Sequence, residues 1–345
     1  MKIKNKEIGD GCPTYIIAEM SANHGGELSR AIKILQAAKN CGADCLKVQV
    51  YTPDTMTIDS DKIFFQIEKG TWKNQNLYDL YKIAHTPWEW LSILKQEADR
   101  INIDFLATPF DMTAVDHLEK IGIDFYKIAS QELTDIPLIK YVASMNKPMI
   151  VSTGMGTIKE ISKAVDTITS QSRSGLSLLK CSSAYPAPVE GMNLKTIVDM
   201  KTRFNVPIGL SDHTLGSISA ITAVALGASI IEKHFCLDKA FESVDSSFSM
   251  DPEELKRMIE DIRLTEKALG IVSYDLTVEE EYSRNFRRSI FAVKDISKGT
   301  RLTQDNIRII RPAYGLAPEN LEALIGKTAK KDIERGTPIN WDLIL

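Results

Sequence analysis

Eight times in its first 270 residues the chain repeats one pattern: a short apolar run, then a longer segment with apolar residues at helical spacing. The runs fall at residues 14–19, 45–50, 104–109, 125–130, 148–154, 176–182, 208–213 and 230–234. Strands that alternate with crossover helices lie parallel. Eight such units close into a (β/α)8 barrel; an open, doubly wound sheet is the structural alternative. Its nucleotide-binding versions lose support, because no GxGxxG follows the first run and no GxxxxGK[ST] occurs anywhere.

Helix signals fit the same pattern. Residues 28–40 carry Ala31, Ile34, Leu35 and Ala38 on one face, with Gly42 placed to end the helix. Thr86-Pro87-Trp88-Glu89 reads as a capping box with proline at the first helical position, opening a helix to about Arg100. Thr157 with Glu160, and Asp251-Pro252-Glu253-Glu254, open two more. Residues 51–76 have no period and are too long for a plain connection, which predicts a functional loop.

Residues 1–270 are therefore expected to form the barrel, 271–284 a polar, acidic linker, and 285–345 a second module. That module contains a near-repeat, KDISKGT at 294–300 and KDIERGT at 331–337, whose turn signals beside β-prone stretches predict mostly β structure. About 60 residues is marginal for a freestanding fold, so the module is expected to lean on a barrel. It holds 11 Lys/Arg against 7 Asp/Glu, a net +4 on a chain of net −4, and could draw an anionic ligand toward an acidic body.

The overall charge of −4 does not suggest nucleic acid as a partner. No run of about 18 apolar residues predicts a membrane span. Residues 1–11 are polar, without the apolar centre of a signal peptide. Five cysteines with no CxxC point to reduced thiols in a cytoplasmic setting, with Cys41 and Cys45 as packed apolar residues.

In a barrel of this kind the chemistry sits at the carboxyl ends of the strands. Those ends are polar here: Glu19, Lys47 and Gln49, Thr108, Lys127 with Ser130 and Glu132, Ser152, Ser183 with Tyr185, Ser211 with His213, and His234. Two lysines and several hydroxyls converging on one mouth suit a phosphate-bearing anion. Two imidazoles on neighbouring strands could share a metal ion and leave positions open for oxygen ligands, as a catalytic metal requires.

The motifs AEMSANHGG at 18–26, KVQ at 47–49, ATPF at 107–110, YKIASQE at 126–132, VSTGM at 151–155, GLSDHT at 209–214 and EKHF at 232–235 resemble the sialic acid synthase family. The final module resembles that family's antifreeze-like (SAF) domain. QVYTPDTMTIDSD at 49–61, Gly70-Thr71-Trp72, HTPWEW at 85–90 and FESVDSSFSM at 241–250 are similar to its pseudaminic acid branch.

The resemblance implies condensation of phosphoenolpyruvate with an amino-sugar aldehyde, 2,4-diacetamido-2,4,6-trideoxy-L-altrose for this branch, with release of phosphate by C–O cleavage. It implies that Lys47, Thr108, Lys127, Ser130, Ser152, Ser183 and Ser211 hold phosphoenolpyruvate. Serine at 183 stands where the family usually has Asn or Thr, and it matches the pseudaminic branch. His213 and His234 would bind a divalent metal, Mn2+ first, with Mg2+ or Co2+ as alternatives. Glu19, Gln49, Tyr185 and Asp245 would contact the sugar. Arg311 would reach it from the SAF domain of a partner subunit in a homodimer. Glu132 is the expected acceptor of a water proton.

His24 lies near the mouth without an assigned role, and His117 is expected at a helix surface. Phe64, Phe65 and Trp72 are expected to pack within a loop able to close over the sugar. The rival readings are an N-acetylneuraminate or legionaminate synthase, and a non-catalytic sugar- or phosphate-binding protein.

Overall fold

A short antiparallel hairpin, β1 (Lys2–Ile3) and β2 (Lys6–Glu7), precedes the first long strand. Then come β3 (Tyr15–Glu19), β4 (Cys45–Val50), β5 (Asp104–Pro109), β6 (Tyr126–Ile128), β7 (Met149–Ser152), β8 (Leu176–Cys181), β9 (Ile208–Asp212) and β10 (Ile230–His234). These eight pair in parallel and in sequence order, and β10 closes on β3. The structure, a computed structural model, describes all residues 1–345, and the chain divides into two units, Met1–Gly270 and Ile271–Leu345.

Alternation along each strand separates two cores. Ile16 and Ala18 of β3, Leu46 and Val48 of β4, and Phe105 and Ala107 of β5 face the surrounding helices. Tyr15 and Ile17, Cys45, Leu106, Phe125, Ile150, Leu179 and Ile230 fill the barrel floor. The hairpin plugs that floor with Ile3 and Ile8, both buried. Each such side chain contributes roughly 1.5–3 kcal/mol of burial, so the floor is a stability element. Gly209 is required there: a Cβ would stand 2.4 Å from the Ile230 carbonyl and 2.6 Å from Leu179.

β6, β7 and β8 are shorter than their apolar runs predict, and His213 lies one residue beyond β9. Backbone at the mouth leaves the ladder there to form the loops of the site. Thr157 and Asp251 make their capping boxes, whereas the helix Trp88–Arg100 starts differently. Pro87 takes the cap position with no side-chain bond, and the buried Thr86 hydroxyl turns toward His24 Nε2 at 3.5 Å. The expected long loop ends at Asn76, which caps a helix over residues 77–84, and is itself interrupted only by short helical turns at Pro53–Met56 and Ile63–Phe65.

In the second unit, β11 (Ser289–Ala292) pairs antiparallel with β12 (Ile307–Ile310). The two near-repeats pair with each other. Ile296 and Ile333 exchange both backbone hydrogen bonds, each at 2.8 Å. The Asp332 carboxylate accepts from Lys298 N (2.7 Å), and Asp295 accepts from Arg335 N (2.8 Å). Repetition in the sequence is thus a pseudo-twofold in the fold. The unit has its own core, including Ile290, Leu302, Ile307, Leu324 and Ile339. Regular strand is limited to one two-stranded sheet plus isolated bridges, less β structure than the repeat predicts.

Candidate active site at the barrel mouth

The parity that puts Ile17, Phe125 and Ile230 in the floor puts charged groups two residues later at the mouth. Glu19 follows Ile17, Lys47 follows Cys45, Lys127 follows Phe125, and Glu232 follows Ile230; all four are buried. Lys47 is ion-paired to Glu19 and lies 3.4 Å from Glu232 Oε1 and from the Thr108 hydroxyl. Lys127 donates to Ser152 Oγ at 2.6 Å and lies 3.6 Å from Glu232 Oε2. Ser211 Oγ donates to Glu232 Oε1 at 3.4 Å.

Burial opposes charge throughout this cluster, and the partners decide the outcome. At Lys47 the Glu19 and Glu232 carboxylates outweigh burial, so its pKa rises. At Lys127 burial prevails over Glu232, and its pKa falls below the usual lysine value. Glu232 is held low because Lys127 and Lys47 overcome its burial. Glu19 is raised, burial exceeding the pull of Lys47.

These groups open into a cavity of about 610 Å3. Of the expected site residues, Lys47, Gln49, Lys127, Ser130, Glu132, Ser152, Tyr185, Ser211, His213, His234 and Asp245 line it. Three expected barrel contacts, Glu19, Thr108 and Ser183, do not. Glu19 is fully buried, one oxygen paired to Lys47 and the other accepting from Ser21 N at 2.8 Å, so it lies behind the wall as a partner for Lys47. Thr108 is also fully buried and props Lys47 from below. Ser183 lies outside the lining, its hydroxyl buried and without a partner. Beside it Ser130 Oγ accepts from Gly154 N at 3.0 Å. A Cβ on Gly154 would fall 2.4 Å from Ser183 Oγ and 2.7 Å from Ser130 Oγ, so glycine leaves a small hydroxyl-lined cradle.

The His213 and His234 ring centroids are 5.3 Å apart. His213 Nδ1–H donates to the Ser182 carbonyl at 2.8 Å, which leaves Nε2 bare. His234 Nδ1 is buried without a hydrogen bond, 3.9 Å from Asp245 Oδ2. Burial, then the charges of His213 and Lys47, press the His234 pKa well below its usual value, so its ring is neutral. Two bare ring nitrogens beside an acidic side chain fit a divalent cation with oxygen ligands. Tyr185 lies 4.3 Å from the His213 ring and Phe248 5.0 Å from the His234 ring, giving the pair an aromatic border.

Glu132 follows β6 in a single 3-10 turn. Its Oε2 is buried without a partner, and burial raises its pKa to about 7 against the opposing pull of its own backbone N–H and Lys127. A carboxyl poised near neutrality in a cleft suits proton transfer.

His24 is fully buried and outside the cavity; its Nδ1 accepts from Gly26 N at 3.0 Å, and its ring packs edge-on to Trp90. Asn23 beside it ties the mouth together. It donates to the Phe235 carbonyl (3.0 Å) and Ser249 Oγ (2.8 Å), and accepts from Ser243 Oγ (2.6 Å), fixing the loop that carries Asp245. His117 is half-buried against Trp88 instead of free at a surface, with its Nε2 enclosed. Phe64 is 83% exposed and does not pack, while Trp72 lines the cavity. Arg311 belongs to the second unit, exposed just after β12.

Glu232 and Cys181 line the cavity without having been singled out in the sequence. Both could have been found by parity: Glu232 is two residues before His234, and Cys181 two before Ser183.

Residues 34–274 match the NeuB family, and residues 287–345 match the SAF domain. A pseudaminic acid synthase of Campylobacter jejuni is 45% identical over 93% of this chain and 94% of its own length. One of Helicobacter pylori is 41% identical over 96% of this chain and 97% of its own. Among solved structures, an N-acetylneuraminic acid synthetase of Leptospira borgpetersenii superposes with a TM-score of 0.74 at 31% identity, covering 82% of this chain and 94% of that one. Barrel, mouth and matches agree, and the chain belongs to the NeuB family, its synthase barrel followed by a SAF domain.

Proposed function

We propose that this protein is a transferase that condenses phosphoenolpyruvate with 2,4-diacetamido-2,4,6-trideoxy-L-altrose to give pseudaminic acid and inorganic phosphate. The observation that carries the reading is the shared opening: Lys47, Lys127, Ser130, Glu132 and both histidines line one cavity, and Gly154 and Ser183 pack beside Ser130. Relatives 41–45% identical over more than nine-tenths of the chain, named pseudaminic acid synthases, support the choice of product.

The lysines offset the charge of the phosphate and carboxylate in a cavity that excludes bulk water, where each contact is worth more than in solution. Ser130, Ser152, Ser183 and Ser211 supply hydroxyls to the same anion, with Thr108 setting Lys47 from beneath. Glu232 and Glu19 keep Lys47 charged and in place before the anion arrives, and Glu232 lies 3.6 Å from Lys127. His213 and His234 would hold a divalent ion, Mn2+ in first place with Mg2+ or Co2+ as alternatives. Such an ion supplies Lewis acidity to the aldehyde oxygen.

The enol carbon bonds to the aldehyde carbon, which leaves positive charge on the carbon bearing phosphate. Water adds there, and Glu132 takes its proton. The adduct then loses phosphate with the bridging oxygen. Gln49, Tyr185 and Asp245, which line the cavity, are the proposed contacts to the acceptor. We extend the proposal to a homodimer in the cytoplasm, with Arg311 of the SAF domain contacting the acceptor bound to the partner subunit.

The test is phosphate release with phosphoenolpyruvate labelled with 18O in the bridge. The proposal expects release that requires the acceptor, with the label in phosphate. Label retained in the sugar product, or no release with any 2,4-diacetamido-2,4,6-trideoxy aldehyde, contradicts it. A preference for N-acetylmannosamine would favour an N-acetylneuraminate synthase instead, the activity named for the Leptospira structure.

A further inference from the structure

The cavity has two unlike walls. The strand ends carry its charges. The other wall comes from the segment between β4 and β5, together with Phe110, and presents Met56, Ile67, Trp72, Leu77 and Leu80. No charged side chain from that segment reaches the cavity; its polar groups there are the hydroxyls of Tyr51, Thr55 and Tyr81.

This wall is fastened over the mouth. The Thr71 hydroxyl donates to the Tyr185 carbonyl, and the Trp72 indole N–H donates to the Val244 carbonyl at 3.0 Å. Tyr185 borders His213, and Val244 precedes Asp245, so the apolar wall is tied to both sides of the histidine pair. Asn76 caps the helix Leu77–Ala84 and also donates to the Ser60 carbonyl at 2.9 Å, which stiffens the segment.

An amino-sugar aldehyde with its reacting end at the histidines places its far end away from the charges. A methyl group and acetamido methyls there bury apolar surface against Met56 and Leu77. A hydroxylated end would lose hydrogen bonds to water and find few partners in return. From this we infer that the wall built by Met56, Ile67, Leu77, Leu80 and Phe110 selects deoxygenated acceptors over fully hydroxylated ones. The inference rests on the proposed condensation.

The test compares kcat/KM for 2,4-diacetamido-2,4,6-trideoxy-L-altrose and for N-acetylmannosamine in wild-type protein, Met56→Gln and Leu77→Gln. Wild type is expected to favour the deoxygenated aldehyde by up to about 10²-fold, and each variant to cut that ratio by about 10-fold. The KM for phosphoenolpyruvate is expected to stay unchanged in both variants, which shows an intact mouth. Equal losses for the two acceptors overturn the inference while the condensation stands; a wild type that prefers the hydroxylated one overturns the inference and the proposed acceptor together. Wild type that condenses neither aldehyde overturns the proposed function itself.

Discussion

The floor and the mouth of the barrel are made from the same strands, two residues apart, yet they obey opposite rules. Ile17, Phe125 and Ile230 are apolar and closed off by the Ile3 and Ile8 plug. Glu19, Lys127 and Glu232, next on the same faces, are charged and equally buried. The floor lowers the free energy of the fold. The mouth raises it, because desolvating two ammoniums and two carboxylates costs several kcal/mol per ion before their mutual attraction returns some of it. Strain of this kind is stable only on a rigid base, so the apolar plug is a condition for the charged opening.

That contrast can be broken from either side. The largest effect is expected in the floor: Phe125→Ala should lower unfolding free energy by about 3–5 kcal/mol in denaturant titration, while turnover per folded molecule stays near wild type. At the mouth the pattern reverses. His234→Ala should cut kcat by roughly 10²–10³-fold and remove sensitivity to chelators, with a stability change too small to account for the loss.

Glu132→Gln should retain phosphoenolpyruvate binding and lose about 10²-fold in turnover. In wild type, kcat/KM should rise with pH through the Glu132 pKa of about 7, and the variant should lack that limb. The linkage has a definite sign. Folded Glu132 keeps its proton to a pH of about 7, whereas an unfolded glutamate releases it near 4.5, so the folded state binds more protons in between. Its contribution to stability therefore falls as pH rises across that window, and the variant should lose this slope. The smallest effect sharpens the contrast with the second unit: Asp332→Ala removes one of two reciprocal caps and should cost about 1 kcal/mol in that unit's own unfolding transition.

Much of this was legible in the residues. Strict alternation in CLKVQV and IIEKH assigns Lys47, Gln49 and His234 to one interior, and the structure places them there. Capping chemistry located the helices that begin after Thr157 and Asp251. It failed at Thr86, where burial against His24 outcompeted the cap. The hairpin plug was invisible, since two isolated isoleucines among charged residues carry no periodic signal and gain their meaning only from a distant barrel floor. Glu19 shows the other limit. The family resemblance makes this carboxylate a sugar contact, but the Ser21 turn and Lys47 occupy both its oxygens, an arrangement no local spacing reveals.

The account turns on whether the imidazole pair and the lysines serve one opening. The most direct measurement is the 31P resonance of phosphoenolpyruvate bound to the protein during titration with Mn2+. One equivalent should broaden the bound resonance strongly in wild type and leave it narrow in His234→Ala. A resonance that stays narrow while Mn2+ binds, or that broadens equally without His234, would contradict the account.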